Sequence, residues 1–323
     1  MGFLSRLFGG GADTAVKEPL KAAAPAPKPL PKLGQDASKF RQIFRDPALQ
    51  KQFEEDGYVI VQFLEPEEIQ ALLDFKNGTR PDNRFNTNAE DATYHFTFLD
   101  TNIPYKKEVF NTVMQFFQPA IDKWMIDYKP LIVNFVLKDA GYGEVPVHQN
   151  WNFVDEEKFR SFSVWVPLMD TNAENGTLQI IPGTHTQNFH YAIRSPWIPW
   201  YFKDFSDFVI KEYHRPLNVK AGQAVIFDDS LIHYSSPNNS KEQRIVIQNI
   251  IIPAETEAVH YYVDPERPQV LQTMIVDKDF YLDYDMRATP TGFKSVAEEP
   301  YIDRTVDKET FIAMIKAKGI DKK

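Results

Sequence analysis

Two histidines, an asparagine and a late arginine form the pattern in this chain that could do chemistry. His148 and Asn150 lie two positions apart, His233 lies much further along, and Arg244 follows it. Non-haem Fe(II) oxygenases hold their metal with two imidazoles and one carboxylate on one face, which leaves the opposite face open for co-substrate and dioxygen. The pattern therefore predicts an iron and 2-oxoacid site. Position 150 departs from it, because this chemistry expects Asp where the chain has Asn.

The spacing of these residues suits β-strands. Side chains at i and i+2 of a strand point to the same face, so His148 and Asn150 can address one metal ion from one strand. His233 must arrive from a distant strand, which a jelly roll can bring beside the first. Arg244 would follow on the next strand, where its guanidinium can bind the far carboxylate of a 2-oxo diacid. The 2-oxo and C1 carboxylate groups would then chelate the metal.

Composition narrows the class of protein. The chain has 323 residues, 43% of them hydrophobic, which is enough for a substantial core. Its net charge of −9 argues against binding nucleic acid and favours a small-molecule substrate. The absence of cysteine excludes disulfides, thiolate metal sites and cysteine nucleophiles. No window approaches the roughly 20 apolar residues of a membrane span, so we expect no stable membrane insertion and a cytoplasmic protein.

The chain divides into a tail and a domain. Residues 1–33 read as a flexible N-terminal tail with a Pro/Ala-rich linker, and residues 34–323 as one domain. Helical patterns are predicted at 37–56, from Pro66 onward and at 105–128, with a strand at 58–61 between the first two.

Short β-branched and aromatic runs separated by turn signals dominate the middle of the chain. Many short strands without intervening helices favour a mainly β protein with flanking helices, and a double-stranded β-helix, the jelly-roll core of cupins, suits this pattern best. The predicted strands are 94–99, 131–137, 161–168, 176–181, 223–227, 244–252 and 258–263.

Two further segments interrupt the strand pattern. An aromatic insertion at 187–215 is either a lid or a set of helices packed outside the barrel, and its aromatic residues indicate an apolar or aromatic substrate. A C-terminal extension from about residue 264 has few clear strands and a final amphipathic helix at 308–317.

Three ordered blocks carry a family resemblance. They read VPVHQNW at 145–151, VWVPLMDTNAENGTLQIIPGTH at 164–185 and AVIFDDSLIHYSSPNNSKEQR at 224–244, and the opening at 57–73 reads GYVIVQFLEPEEIQALL. Together they resemble the phytanoyl-CoA dioxygenase family of Fe(II)/2-oxoglutarate-dependent oxygenases, over roughly residues 53–253. The resemblance implies a hydroxylase that uses Fe(II), 2-oxoglutarate and dioxygen.

The same resemblance implies residue roles. His148 and His233 would be iron ligands, position 150 would be the third ligand, and Arg244 would bind 2-oxoglutarate. Three more residues are candidates for the co-substrate pocket, because they lie on strands that face it in such folds: Gln179, Thr177 and Lys138. The turns at Asn175-Gly176 and Pro182-Gly183 match the family's structural turns.

Asn150 leaves four interpretations open. Asn is nearly isosteric with Asp but neutral, so the chain could be a hydroxylase with weakened metal affinity, or an inactive member that acts as a binding protein. A halogenase is a third interpretation, although Asn is large for a position that halide would occupy. In the fourth, Glu144, Asp155 or Glu156 supplies a substitute carboxylate. We favour the hydroxylase first and the binding protein second.

The acidic pair Asp228-Asp229 is predicted to be a solvated turn, with a possible role in orienting His233. Hydrolase and nucleotide-binding functions are disfavoured, because the chain contains neither a Gly-x-Ser-x-Gly elbow nor a standard glycine-rich phosphate loop.

Overall fold

The computed structural model describes residues 41–79, 94–185, 193–196, 198, 203–284, 289–291, 295–303 and 306–322. The predicted tail and linker at 1–33 lie outside the described residues. The same holds for part of the aromatic insertion, including Trp197 and Trp200.

The helices and strands that the sequence patterns predict occur in the predicted order, with further strands and helices between and after them. The N-terminal half contains α1 (Pro47–Asp56), β1 (Tyr58–Gln62), α2 (Pro66–Gly78), β2 (Tyr94–Phe96), α3 (Ile103–Trp124), β3 (Tyr128–Lys138), β4 (Val145–His148) and β5 (Phe162–Pro167). The remainder contains β6 (Leu178–Ile180), α4 (Ser206–Tyr213), β7 (Arg215–Pro216), β8 (Gln223–Asp228), β9 (His233–Ser235), β10 (Arg244–Pro253), β11 (Ala258–Val263), β12 (Val270–Val276), α5 (Lys278–Asp283), β13 (Ser295–Pro300) and α6 (Lys308–Ala317).

Two antiparallel sheets form the centre of the fold. The larger has the strand order β1-β8-β5-β10-β3-β2 and the smaller has the order β4-β9-β6-β7. Strands distant in sequence are neighbours in both sheets, as a jelly roll requires. The predicted double-stranded β-helix with flanking helices is therefore confirmed.

The larger sheet has two different apolar faces. Val133 and Phe135 of β3 belong to the same core cluster as Val113 and Phe117 of α3. Residues at the alternate positions, such as Asn134, face the interior between the sheets. Burying each large apolar side chain contributes about 1.5–3 kcal/mol. The helix layer therefore anchors the sheet and leaves its other face for the site.

The first helix is shorter than predicted. It begins at Pro47 rather than near residue 37, and Asp46 caps it by accepting a hydrogen bond of 2.8 Å from the backbone N–H of Ala48. The preceding segment pairs instead with the end of α3, through a bridge between Phe44 and Met125. The tertiary pairing thus overrides the helical pattern before Pro47. The predicted helix start at Pro66 is confirmed.

The C-terminal extension contains more strand than predicted. β12 pairs with β11 along its length, and β13 adds a third strand. β13 has the sequence SVAEEP and is mostly exposed, so its strand depends on backbone pairing rather than on an apolar pattern. The predicted helix at 308–317 is confirmed as α6, whose Phe311 packs in one cluster with Val209 of α4. Within the described ranges, no helix is long and apolar enough to cross a membrane.

Candidate functional site

A cavity lies between the inner faces of the two central sheets. Its volume is about 100 Å³, which leaves room for several atoms beyond a metal ion. Aromatic and aliphatic side chains form most of its lining. Its polar lining residues include Asn134, His148, Asn150, His233, Arg244 and Gln248.

The two predicted histidine ligands meet in this cavity. His148 ends β4 and is the direct cross-strand partner of His233 at the start of β9. Their ring centroids lie 4.0 Å apart. Nδ1 of His148 lies 2.6 Å from the carbonyl oxygen of Pro146, and Nδ1 of His233 lies 2.8 Å from that of Leu231. Since a carbonyl can only accept, both Nδ1 atoms carry the proton and both Nε2 atoms carry the lone pair that a metal needs.

Burial keeps both rings neutral near pH 7. Desolvation lowers the pKa of His148 to about 4, although hydrogen bonds to Pro146 and to the Asn150 side chain raise it in part. Desolvation and the neighbouring His148 hold the pKa of His233 well below its usual range. A neutral imidazole is the form that binds metal. The pair therefore needs little proton release to become a ligand set.

Asn150 is held by a buried carboxylate. Its Nδ2 donates to Oδ1 of Asp229 at 2.8 Å and to Oγ of Ser163 at 2.7 Å, and its backbone N–H donates to the Asp229 carbonyl at 2.7 Å. The side chain of Asn150 also interacts with His148. Burial raises the pKa of Asp229 to about 7, and the hydrogen bonds from Ser161, Asn150 and Ser163 oppose that rise.

The prediction of a solvated turn at Asp228-Asp229 is wrong. Asp228 is 3% exposed and Asp229 is fully buried. The side chain of Asp229 contacts Asn150 and Ser163, whereas a backbone carbonyl orients His233. Neighbouring strands bury the pair, which its local composition does not reveal.

The carboxylates proposed as substitutes point elsewhere. Glu144 accepts a hydrogen bond of 3.0 Å from the Tyr234 hydroxyl, Asp155 pairs with Lys158 at 2.6 Å, and Glu156 pairs with Arg194. Among the described residues, no group of three or more His, Cys, Asp or Glu side chains is placed to hold a metal ion. Asn150, which lines the same cavity as the two histidines, therefore remains the candidate for the third ligand.

Arg244 reaches the cavity from the first position of β10. It is 1% exposed, and its Nη1 donates to the Gly176 carbonyl at 2.7 Å and to Ser235 Oγ at 3.3 Å. Its Nε is buried without a hydrogen-bond partner in the described part of the chain. Burial lowers the pKa of Arg244 to about 9, which leaves it cationic near pH 7. A buried cation with an unused donor suits a carboxylate ligand.

Lys138, Thr177 and Gln179 are near this cation but are not among the residues that line the cavity. The Lys138 ammonium donates to Ser235 Oγ and to the Ser235 and Ser236 carbonyls, at 3.1 and 2.7 Å for the carbonyls. Burial holds its pKa well below the usual range. The Thr177 hydroxyl donates to the Leu217 carbonyl at 2.6 Å. A direct co-substrate role for these three residues stays a prediction.

The residues present fit an iron ion and a 2-oxo diacid. Two neutral imidazoles and an amide oxygen are a nitrogen and oxygen donor set, and imidazole suits iron. The orphaned Nε of Arg244 in the same cavity fits the far carboxylate of the co-substrate. None of the three candidate ligands carries a negative charge. The carboxylate of Asp229 contacts one of them, Asn150.

Sequence reasoning missed three polar residues of the site. Ser163 contacts Asn150 and Asp229, and Gln248 donates to Ser163 Oγ at 3.1 Å. Asn134 accepts a hydrogen bond of 2.8 Å from the Phe98 N–H, while its buried Nδ2 has no partner among described residues. Each is a polar residue within an otherwise apolar strand. A polar residue in such a strand is the signal that the sequence offers. It points to the site only once the pairing of the strands is known.

The chain matches a known protein family. A family model described as phytanoyl-CoA dioxygenase (PhyH) matches residues 53–246. The chain is 31% identical over 110 residues to a Dictyostelium discoideum phytanoyl-CoA dioxygenase domain-containing protein 1 homolog, covering 32% of this chain and 38% of that protein. It is 33% identical over 128 residues to the Danio rerio phytanoyl-CoA dioxygenase domain-containing protein 1, covering 38% and 44%. The matched stretch thus spans less than half the length of these curated relatives.

Solved structures with a similar arrangement have low sequence identity. The non-heme alpha ketoglutarate dependent carbocyclase SnoK from nogalamycin biosynthesis has a TM-score of 0.47 and 14% identity, covering 67% of this chain and 86% of that one. HygX from Streptomyces hygroscopicus, solved with nickel, 2-oxoglutarate and hygromycin B bound, has a TM-score of 0.48 and 11% identity, covering 65% and 88%.

Proposed function

This chain belongs to the phytanoyl-CoA dioxygenase (PhyH) family, and from that premise we propose that it is an Fe(II)- and 2-oxoglutarate-dependent oxygenase that hydroxylates a small organic substrate. One observation carries the proposal: the Nε2 lone pairs of His148 and His233 and the side chain of Asn150 line one buried cavity with the unpartnered Nε of Arg244.

Each residue has a distinct task in this proposal. His148, His233 and the amide oxygen of Asn150 would hold the iron, and Arg244 would bind the far carboxylate of 2-oxoglutarate. The bound iron, with 2-oxoglutarate and dioxygen, supplies the oxidising chemistry. The backbone carbonyls of Pro146 and Leu231 keep the imidazoles in the ligating tautomer. The apolar walls exclude water and so strengthen the attraction between Arg244 and a carboxylate.

The lining of the cavity supports an apolar or aromatic substrate. Aromatic walls come from residues such as Phe98, Trp151 and Trp165. The Nδ2 of Asn134, buried without a partner in the described part, adds a donor for one acceptor oxygen. A flat, mainly apolar molecule with a carbonyl or hydroxyl group suits this combination.

A second candidate function is a binding protein on the same fold. Asn150 favours it, because a neutral third ligand holds a divalent cation less strongly than a carboxylate does. A halogenase is less favoured, since Asn150 is large for a position that halide would occupy. Turnover distinguishes the first two candidates, because both bind 2-oxoglutarate and only the oxygenase converts it.

Succinate formation tests the proposal. We expect the protein with Fe(II), 2-oxoglutarate and air to release succinate above a metal-free control, with faster release when apolar aromatic compounds are added. Retained 2-oxoglutarate binding without succinate would favour the binding protein. Absence of both would contradict the oxygenase proposal.

A further inference from the structure

Three side chains form a closed hydrogen-bond group behind the proposed metal position. Nδ2 of Asn150 lies 2.8 Å from Oδ1 of Asp229 and 2.7 Å from Oγ of Ser163. The Ser163 hydroxyl donates to the same carboxylate oxygen at 2.7 Å and accepts from Nε2 of Gln248 at 3.1 Å. Its single hydrogen and both lone pairs are therefore used.

This group permits only one orientation of the Asn150 amide. Oδ1 of Asp229 and Oγ of Ser163 both lie at hydrogen-bond distance from Nδ2 of Asn150, and the Ser163 hydrogen is already directed at Asp229. The NH₂ edge of the amide therefore faces these two residues. The amide oxygen lies on the opposite edge of the side chain.

The geometry points to Asp229 and Ser163 as positioning residues that hold the Asn150 amide with its oxygen toward the metal. This inference rests on the proposed function, because it assumes that iron binds at the histidine pair. It assigns a use to a fully buried carboxylate whose side-chain oxygen Oδ1 contacts Asn150 and Ser163.

Restoring a carboxylate at position 150 should not by itself strengthen metal binding. Asn150→Asp alone would bring a second carboxylate against Asp229 at the present amide contact of 2.8 Å. Like charges at hydrogen-bond distance disfavour each other's ionised form. The repair should therefore require Asp229→Asn in the same chain, which moves the charge to position 150 and restores a hydrogen bond between the two side chains.

Titration with Co(II) alone, followed by its visible absorption, tests this inference. Asp229→Asn should weaken Co(II) binding by about 10–100-fold, the range usual for loss of an outer-shell partner. Ser163→Ala should weaken it less, because the carboxylate remains. The Asn150→Asp/Asp229→Asn double variant should bind Co(II) more tightly than either single variant and at least as tightly as the parent chain.

Asp228→Asn is the matched control. It removes the same charge one residue away, from a carboxylate whose Oδ1 accepts a hydrogen bond of 2.8 Å from the Ser230 N–H. We expect unchanged Co(II) affinity in that variant. Thermal unfolding of each metal-free variant checks the fold, and if Asp229→Asn does not fold, Ser163→Ala and the double variant still decide the question.

The possible outcomes separate the two proposals. Equal Co(II) affinity in Asp229→Asn, Ser163→Ala and the parent would overturn the positioning role, as would an Asn150→Asp variant that binds as tightly as the double variant. If the parent binds Co(II) and His233→Ala does not, the metal site is supported whatever affinity the Asp229→Asn variant shows. Failure of the parent to bind Co(II) would overturn both proposals.

Discussion

The imidazole ring of His148 faces that of His233 across two adjacent strands, with ring centroids 4.0 Å apart. Each Nδ1 atom is turned to the carbonyl oxygen of the residue two positions earlier in the chain. The same local arrangement thus holds both rings in the tautomer that can bind a metal.

Removing one of these rings should abolish metal binding. We expect His233→Ala to weaken Co(II) binding by more than about 100-fold, beyond the usual effect of an outer-shell partner. Metal-induced thermal stabilisation should vanish with it, which is about 2.7 kcal/mol at a metal concentration of 100 times Kd. His260→Gln is the control, because His260 is a buried histidine that packs against Phe280 and Tyr281 and is not among the residues that line the cavity. A His233→Ala protein that keeps the full metal shift would contradict the ligand assignment.

Substitution of Arg244 should weaken 2-oxoglutarate binding and leave the metal affinity unchanged. Arg244→Gln removes a charge-assisted hydrogen bond to the carboxylate worth about 1.5–3 kcal/mol, so 2-oxoglutarate affinity should fall by roughly 10–100-fold. Arg244→Lys should restore only part of it, since an ammonium lacks the planar fork. Calorimetric titration of Co(II) into the metal-free protein, followed by titration of 2-oxoglutarate into the Co(II)-loaded protein, measures both affinities. Parallel loss of Co(II) and 2-oxoglutarate binding would instead indicate a general structural role.

Gly176 positions Arg244 through its backbone. Its φ is +73°, its carbonyl accepts from Arg244 Nη1, and an added Cβ would lie 2.5 Å from the Ser236 carbonyl oxygen. Gly141 has a similar φ of +83° with no atom near its added Cβ. We expect Gly141→Ala to cost about 1 kcal/mol of unfolding free energy from the left-handed backbone alone. Gly176→Ala should cost more and should also weaken 2-oxoglutarate binding, and equal behaviour of the two variants would refute this.

His260 should make the fold sensitive to acid. Burial lowers its pKa to about 3, whereas the unfolded value is near 6.5. Between these values the unfolded state binds more protons, so this contribution to stability is complete above pH 6.5 and declines as the pH falls toward 3. His260→Gln should reduce the slope of unfolding free energy by up to about 1.4 kcal/mol per pH unit. Urea unfolding at several pH values in this window measures it, and an unchanged slope would argue against a neutral buried His260.

The parts of the site that follow from local pattern were predicted from the sequence. The strand and turn signals placed His148, His233 and Arg244 on strands, as the structure has them, but the strand face predicted to be shared by His148 and Asn150 is wrong, because β4 ends at His148 and Asn150 follows it. β-branched and aromatic runs located the central strands to within a few residues. These features depend on residues close together in the chain.

The features that were missed depend on contacts between distant residues. Asp229 is fully buried with Asn150 and Ser163, which are distant in sequence, against its side chain, whereas its local sequence reads as a solvated turn. β13 forms because β12 offers it a paired edge. Such environments are set by the assembled fold, so composition and periodicity alone do not reveal them.

Anaerobic titration of Fe(II) and 2-oxoglutarate into the parent protein tests the central claim most directly, with the metal-to-ligand charge-transfer absorption of the chelate as the signal. We expect the parent to show this band, and we expect His233→Ala and Arg244→Gln to lose most of it at the same concentrations. Absence of the band in the parent would contradict a working iron and 2-oxoglutarate site built from His148, Asn150, His233 and Arg244.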